Sequence, residues 1–233
     1  MTSTGRPERH RQPRLVSVNL AVPQVVDYAD AAFTGIDKRP VDGPVAVAAP
    51  RERSADPVGR SGLAGDDIGD GRFHGGDDQA VYAYGREDLD DWEKELGRTL
   101  ANGMFGENLT TEGVDVSGAL IGERWRVGGD ALLEVTSARI PCRTFAVWLG
   151  EKGWVGRFTR AAVPGAYLRV IRPGEVRVGD AIEVVRRPEH GVSVALQFRA
   201  MTTEAALLPR VLDAGDALNA RHAKVIRQRL AMA

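Results

Sequence analysis

The chain has 233 residues, 43% hydrophobic and 27% charged, with a net charge of -1 at pH 7. That length holds one good-sized core, with room for a small appended module. The near-neutral balance gives no general attraction to nucleic acid or acidic lipid, no apolar run is long enough to span a membrane, and a single cysteine excludes an internal disulfide or a multi-thiolate metal site.

Residues 1–14 carry Arg6, Arg9, Arg11 and Arg14 with no apolar stretch behind them. They read as a disordered lead-in, not a secretory signal, and a reducing cytoplasm is the expected compartment. Leu15 to Leu20 alternates apolar and polar residues, and Val45 to Ala48 follows the turn-like Asp42-Gly43-Pro44. Both patterns predict strands. Arg86 to Leu100 places Leu89, Trp92, Leu96 and Leu100 at helical spacing, with Glu87, Asp88, Asp90 and Asp91 in the first turns, where the helix dipole favours acids. That spacing predicts a helix closed by Asn102-Gly103.

Strands are predicted again at Arg124–Val127, Ala131–Thr136, Tyr167–Ile171 and Ala181–Val185. Gly128-Gly129-Asp130, Arg172-Pro173-Gly174 and Gly179-Asp180 supply the turns, and a short helix is predicted from Thr159 to Val163. Many short strands favour a mainly β fold, a small barrel or sandwich, over a parallel sheet. After Pro188 the pattern becomes helical. Ser193 caps a helix through Ala200, Thr202 or Thr203 caps a second that ends at Gly215, and Asp216 starts a third. Helices this short need a partner surface, on the sheet domain or on a second subunit. The expected organisation is therefore a β domain over residues 15–187 and a three-helix extension over 188–233, with the extension not needed for ligand binding.

Charge is uneven along the chain. Acids dominate from Asp66 to Glu95, and the stretch from Arg186 onward is basic. Such blocks ordinarily solvate two faces of a protein; the other reading is a docking surface for a charged partner.

No phosphate-binding Gly-Lys-Ser/Thr loop, dinucleotide fingerprint or nucleophile elbow is present, and His10, His74, His190 and His222 lack ligand spacing. Arg72-Phe73-His74-Gly75-Gly76 sets a cation and an imidazole beside glycines, which let a backbone approach a ligand closely. Gly106-Glu107-Asn108-Leu109-Thr110-Thr111 offers amide and hydroxyl groups after a helix. Each segment alone reads more readily as a structural turn or capped loop. In Arg139-Ile140-Pro141-Cys142-Arg143, Pro141 forces Ile140 toward an extended conformation, and the flanking arginines favour a thiolate at Cys142. An inert, small buried cysteine is the alternative.

Gly62-Leu63, Gly65-Asp66, Arg72 to Gly76 with Asp78-Gln79-Ala80, Phe105 to Leu109, Gly122-Glu123 and Arg139-x-Pro141-Cys142 occur in this order. Together with Thr34 to Val41 they resemble the MOSC domain family, named for the C-terminal domain of molybdenum cofactor sulfurase. The similarity is to its stand-alone bacterial branch, like the 6-N-hydroxylaminopurine resistance protein, whose members carry a three-helix C-terminal extension. Asp77 stands where relatives have proline.

That resemblance implies a MOSC-type β-barrel that binds the molybdenum cofactor, a pterin dithiolene with phosphate and molybdenum. It implies Cys142 as the metal's protein ligand, a soft thiolate for a centre whose other sulfurs come from the pterin. Lys38, Arg72, Asn108, Thr110 and Arg139 are the candidate cofactor-binding side chains. Gly75 and Gly76 would admit the ligand to the backbone, and His74 would line the substrate side or fix the loop. The implied activity is reduction of N-hydroxylated compounds of the hydroxylamino-purine type. With no flavin or nucleotide motif in the chain, electrons would come from a flavin- or iron-sulfur-containing partner reductase. The rival expectation is a cofactor carrier or sulfur-transfer module that uses Cys142 without turnover.

Overall fold

The structure is a computed structural model and describes residues 12–29, 31–50, 59–71 and 74–232. Its centre is one mixed, eight-stranded sheet. In chain order the strands of that sheet are β1 (Arg14–Ala21), β2 (Lys38–Pro40), β6 (Val81–Gly85), β7 (Leu109–Glu112), β8 (Arg124–Val127), β9 (Ala131–Ala138), β10 (Ala166–Arg172) and β12 (Ile182–Arg186). Two small ribbons sit beside it: β3 (Val45–Val47) with β11 (Gly174–Val176), and β4 (Gly59–Arg60) with β5 (Asp67–Ile68). The sheet order is β12-β8-β9-β10-β6-β7-β1-β2, with β6 and β7 parallel and the other neighbours antiparallel.

The predicted barrel is corrected on one point: the ladders do not close. The start of β1 meets the turn before β12 through the isolated bridge Arg14↔Ala181, with Leu15 N donating to Asp180 O at 2.8 Å and Ile182 N to Pro13 O at 2.9 Å. Pro13 has no amide to continue the pairing on one side, and the Gly179-Asp180 turn ends it on the other. The result is an open sheet joined at one seam.

The predicted strands at 15–20, 45–48, 124–127, 131–136, 167–171 and 181–185 all form, within a residue or two of the expected bounds. The first helix, α1 (Arg86–Leu96), ends earlier than expected, at the left-handed Gly97 (φ 67°), whose amide donates to Glu93 O. Two short helices follow β9, α2 (Arg143–Leu149) and α3 (Trp154–Ala161); the second lies largely ahead of the predicted 159–163. Among the described residues no helix is long and apolar enough to cross a membrane.

In the C-terminal segment α4 (Val194–Thr202) starts at Ser193, whose Oγ accepts from Leu196 N. The expected second helix is broken into 3-10 turns on either side of a single turn, α5 (Leu208–Val211), which carries Pro209 in its first turn, and Gly215 leaves helical geometry (φ 56°, ψ -133°) where the expected helix was to end. The third, α6 (Ala220–Ala231), is capped by Asn219 and not by Asp216. This segment packs against the β domain, as its short helices require. Val194, Phe198, Leu208, Val211 and Ile226 belong to the same hydrophobic cluster as Val135, Phe158 and Leu168 of the β domain.

Candidate functional site

Beside the sheet lies a cavity of about 460 Å3, within the roughly 300–1,000 Å3 range of small-molecule sites. Several chain segments build it. The excursion between β1 and β2, pinned by the bridge Gln24↔Thr34, contributes Tyr28, Phe33 and Ile36 as an apolar wall. The β4–β5 hairpin brings Asp66 and Ile68, the loop before β7 brings Gly106 and Asn108, and Tyr82 and Tyr167 arrive from paired positions on β6 and β10. Their rings lie 5.1 Å apart.

The link from β9 to α2 supplies the reactive side. Pro141 cannot extend the strand, and Cys142, with extended backbone (φ -128°, ψ 173°), becomes the N-cap residue of α2. Arg139, Cys142 and Arg143 all line the cavity. Arg139 is buried: its guanidinium donates to Phe105 O and stacks 3.8 Å over the Phe145 ring. Cys142 is half-buried with a free thiol, and Arg143 is exposed, without an ion-pair partner among the described residues.

The floor of the cavity is a buried polar network. Lys38 Nζ donates to Asp66 Oδ1 at 2.5 Å, Asn108 Nδ2 donates to Asp66 Oδ2 at 2.8 Å, and Ala21 N donates to Asp66 Oδ1 at 2.7 Å. Burial pulls the Lys38 pKa below the ordinary lysine value, against the opposing pull of Asp66. One layer deeper, Glu107 accepts from Gly103 N, Phe105 N and Thr110 Oγ1 at 2.6, 3.0 and 2.8 Å. Burial raises its carboxyl pKa, and these hydrogen bonds work in the other direction. Burial likewise drives the Tyr82 phenol up.

Of the sequence-derived candidates, Lys38, His74, Gly75, Asn108, Arg139 and Cys142 therefore converge on one cavity. Arg72 lies outside the described residues. Thr110 is corrected: it does not line the cavity, because its hydroxyl is turned inward to Glu107. Gly76 is also not in the lining; at φ 78° it starts the 3-10 turn Asp77–Gln79, which forms with Asp77 in its first position. Lys38 and Asn108 line the cavity with their polar ends already committed to Asp66, so their role includes holding the floor together. Asp66, Glu107, Tyr82 and Tyr167 carry weight that their sequence context alone did not assign. Among the described residues no cluster of His, Cys, Asp and Glu could hold a metal ion by itself.

Comparison with known proteins identifies the family. Residues 70–183 match the family model described as the MOSC domain. The chain is 35% identical over 186 residues to the uncharacterized protein YflK of Bacillus subtilis, covering 79% of each. It is 30% identical over 158 residues to a protein of Gibberella moniliformis named a reductase, covering 66% of this chain but 26% of that one. The crystal structure of YiiM from Geobacillus stearothermophilus superimposes with a TM-score of 0.73 at 26% identity, covering 94% of this chain and 99% of that one. On sequence and fold together, the chain belongs to the MOSC domain family.

Proposed function

We propose that the cavity binds a molybdenum–pterin cofactor and that the protein reduces N-hydroxylated small molecules with electrons from a flavin- or iron-sulfur-containing reductase. The observation that carries this reading is the placement of the chain's single thiol, Cys142, in a drug-sized cavity beside the cations Arg139 and Arg143. The donor set fits the group: one soft protein ligand, cations for a phosphate, and the backbones of Gly75 and Gly106, both at positive φ, open along the wall. When bound, the cofactor would supply a two-electron centre suited to removing oxygen from an N–OH group.

The chain's own residues have separable tasks in this proposal. Cys142 holds the metal through its thiolate. Arg139, fixed by Phe105 O and the Phe145 face, presents an oriented charge, and the exposed Arg143 is the cation left to meet an anionic group. Tyr28, Phe33 and Ile36 form an apolar wall that suits a flat heterocycle and limits water. His74, exposed and in the cavity lining, would face the substrate. The reductase name of the Gibberella relative supports redox chemistry.

The test is to purify the protein from a cofactor-competent host, measure molybdenum and pterin per chain, and assay reduction of an N-hydroxylated base with a coupled reductase. Equimolar cofactor with turnover is the expected result. Cofactor without turnover would make the protein a carrier or sulfur-transfer module, and a cavity that takes up no cofactor would overturn the proposal.

A further inference from the structure

β9 outruns one of its neighbours. β8 pairs with it only from Ala131 to Glu134, and the next amide, Val135 N, donates to Glu123 O at 2.9 Å. At Ala138, buried and immediately before Arg139, the amide is taken by a side chain instead of a strand. Gln197 of α4, fully buried, places Oε1 2.8 Å from Ala138 N. Its Nε2 lies 3.1 Å from Nδ1 of His222 on α6. A carboxamide has one acceptor end and one donor end. With Oε1 committed to Ala138, Nε2 must donate, so His222 Nδ1 must be the bare nitrogen of a neutral ring.

We propose that Gln197 and His222 form a positioning pair, through which the C-terminal helices hold the exit of β9 and so set the direction in which Arg139 and Cys142 enter the cavity. The proposal rests on the cavity being the functional site. It makes the helical segment part of the site's support, although none of its residues lines the cavity.

The pair also responds to protonation. The charged groups acting on His222 are Arg221, beside it on α6, and Asp78 from the 3-10 turn before β6; Asp78 is itself held by Arg169 of β10 at 2.8 Å. Burial first, and then Arg221, lower the His222 pKa, with Asp78 opposing. A protonated ring would set a donor against Gln197 Nε2. Turning the carboxamide over would satisfy the ring but would point an NH2 group at Ala138 N–H. Either way one hydrogen bond at the strand exit is lost. Because the native pKa is depressed, this contribution is complete above the free imidazole value of about 6.5 and is lost as pH falls from there through the native value.

The single cysteine gives a site-specific readout in the cofactor-free protein, because alkylation by iodoacetamide reports Cys142 alone. In Gln197→Leu, deuterium exchange at the Ala138 amide should accelerate by roughly fivefold or more, as expected for one orphaned buried donor. The alkylation rate of Cys142 should shift severalfold in the same variant, with melting still cooperative. Gln197→Glu keeps an oxygen for Ala138 N but sets a second acceptor against His222 Nδ1, so it should protect the Ala138 amide better than Gln197→Leu while drawing a proton onto the ring. His222→Gln, with a non-titrating acceptor, should remove the acid-side loss of stability. Nitrogen NMR of the unaltered protein should find His222 protonated on Nε2 and bare on Nδ1, a result independent of whether any variant folds. The opposite tautomer would overturn the proposal, as would an unchanged Cys142 alkylation rate in a folded Gln197→Leu variant. Neither readout requires cofactor, so failure to bind cofactor would sink the proposed function and leave this test standing.

Discussion

Cys142 holds two positions at once, the cavity wall and the N-cap of α2, and it is poorly suited to the second. Its side chain makes no capping hydrogen bond, whereas serine is among the best N-cap residues. Cys142→Ser should therefore fold, with the apo-protein as stable as the parent or up to about 1 kcal/mol more so. The same change replaces the only soft donor by a hard, weakly acidic hydroxyl, so bound molybdenum and turnover should fall to background. Metal analysis beside apo-protein melts checks both halves; turnover at the parental rate would remove the thiol from the mechanism. Asp66 is the second pivotal residue, since it neutralises Lys38 and accepts from Asn108 and Ala21. Asp66→Ala strands a buried ammonium and should cost about 3–5 kcal/mol in chemical denaturation, most of it recovered by adding Lys38→Met. A cost near zero would mean that Lys38 turns to solvent when its partner is removed.

At the scale of elements, the loop from Gly103 to Asn108 is shaped by a carboxylate inside it. Glu107 gathers the amides of Gly103 and Phe105 and the Thr110 hydroxyl, and so aims Phe105 O at Arg139. Glu107→Ala orphans those amides at about 1–3 kcal/mol each, and cofactor retention should fall with stability because Arg139 loses its anchor. Burial raises the Glu107 pKa, so its contribution to stability is full below the unfolded carboxyl value and is lost as pH rises through the folded one. Glu107→Gln should flatten that decline, which a series of melts against pH would detect. The same segment explains what could be read from sequence. Cys142 and Arg139 stood out in the sequence because Pro141 fixes the local backbone between them, and the structure has both lining the cavity. Thr110 was misassigned because a hydroxyl beside Asn108 looks like a ligand donor until the buried Glu107 claims it. β1, β8 and β10 alternate and were legible, but β6, Val81–Gly85, is buried at every position in mid-sheet and shows no alternation. α2 was missed because its seven residues follow a cysteine that leaves no cap signal.

Across the whole molecule, the acidic helix and the helical C-terminal segment differ in what they do. The acids of α1 are largely balanced in place: Arg86 holds Asp90 and Glu93, and Arg157 holds Glu95. That face behaves as a solvated surface laced with ion pairs, each worth little alone. The C-terminal segment is bound into the core by apolar contact. Phe198 lies 6.2 Å from Phe158, within an aromatic group that continues through Trp154 to Phe145, the ring beneath Arg139. Removing residues 188–233 would strip Val194, Phe198, Leu208, Val211 and Ile226 from one shared cluster. Each side chain of this kind stabilises by about 1.5–3 kcal/mol, and together they are comparable to the roughly 5–15 kcal/mol margin of a typical domain. The cut also orphans Ala138 N beside the site. A chain ending at Arg187 is therefore expected to show no cooperative melt and to retain no cofactor. The measurement is calorimetry of the truncated chain. A sharp transition with cofactor still bound would show that the sheet closes its own core, and that the helices serve something other than the pocket.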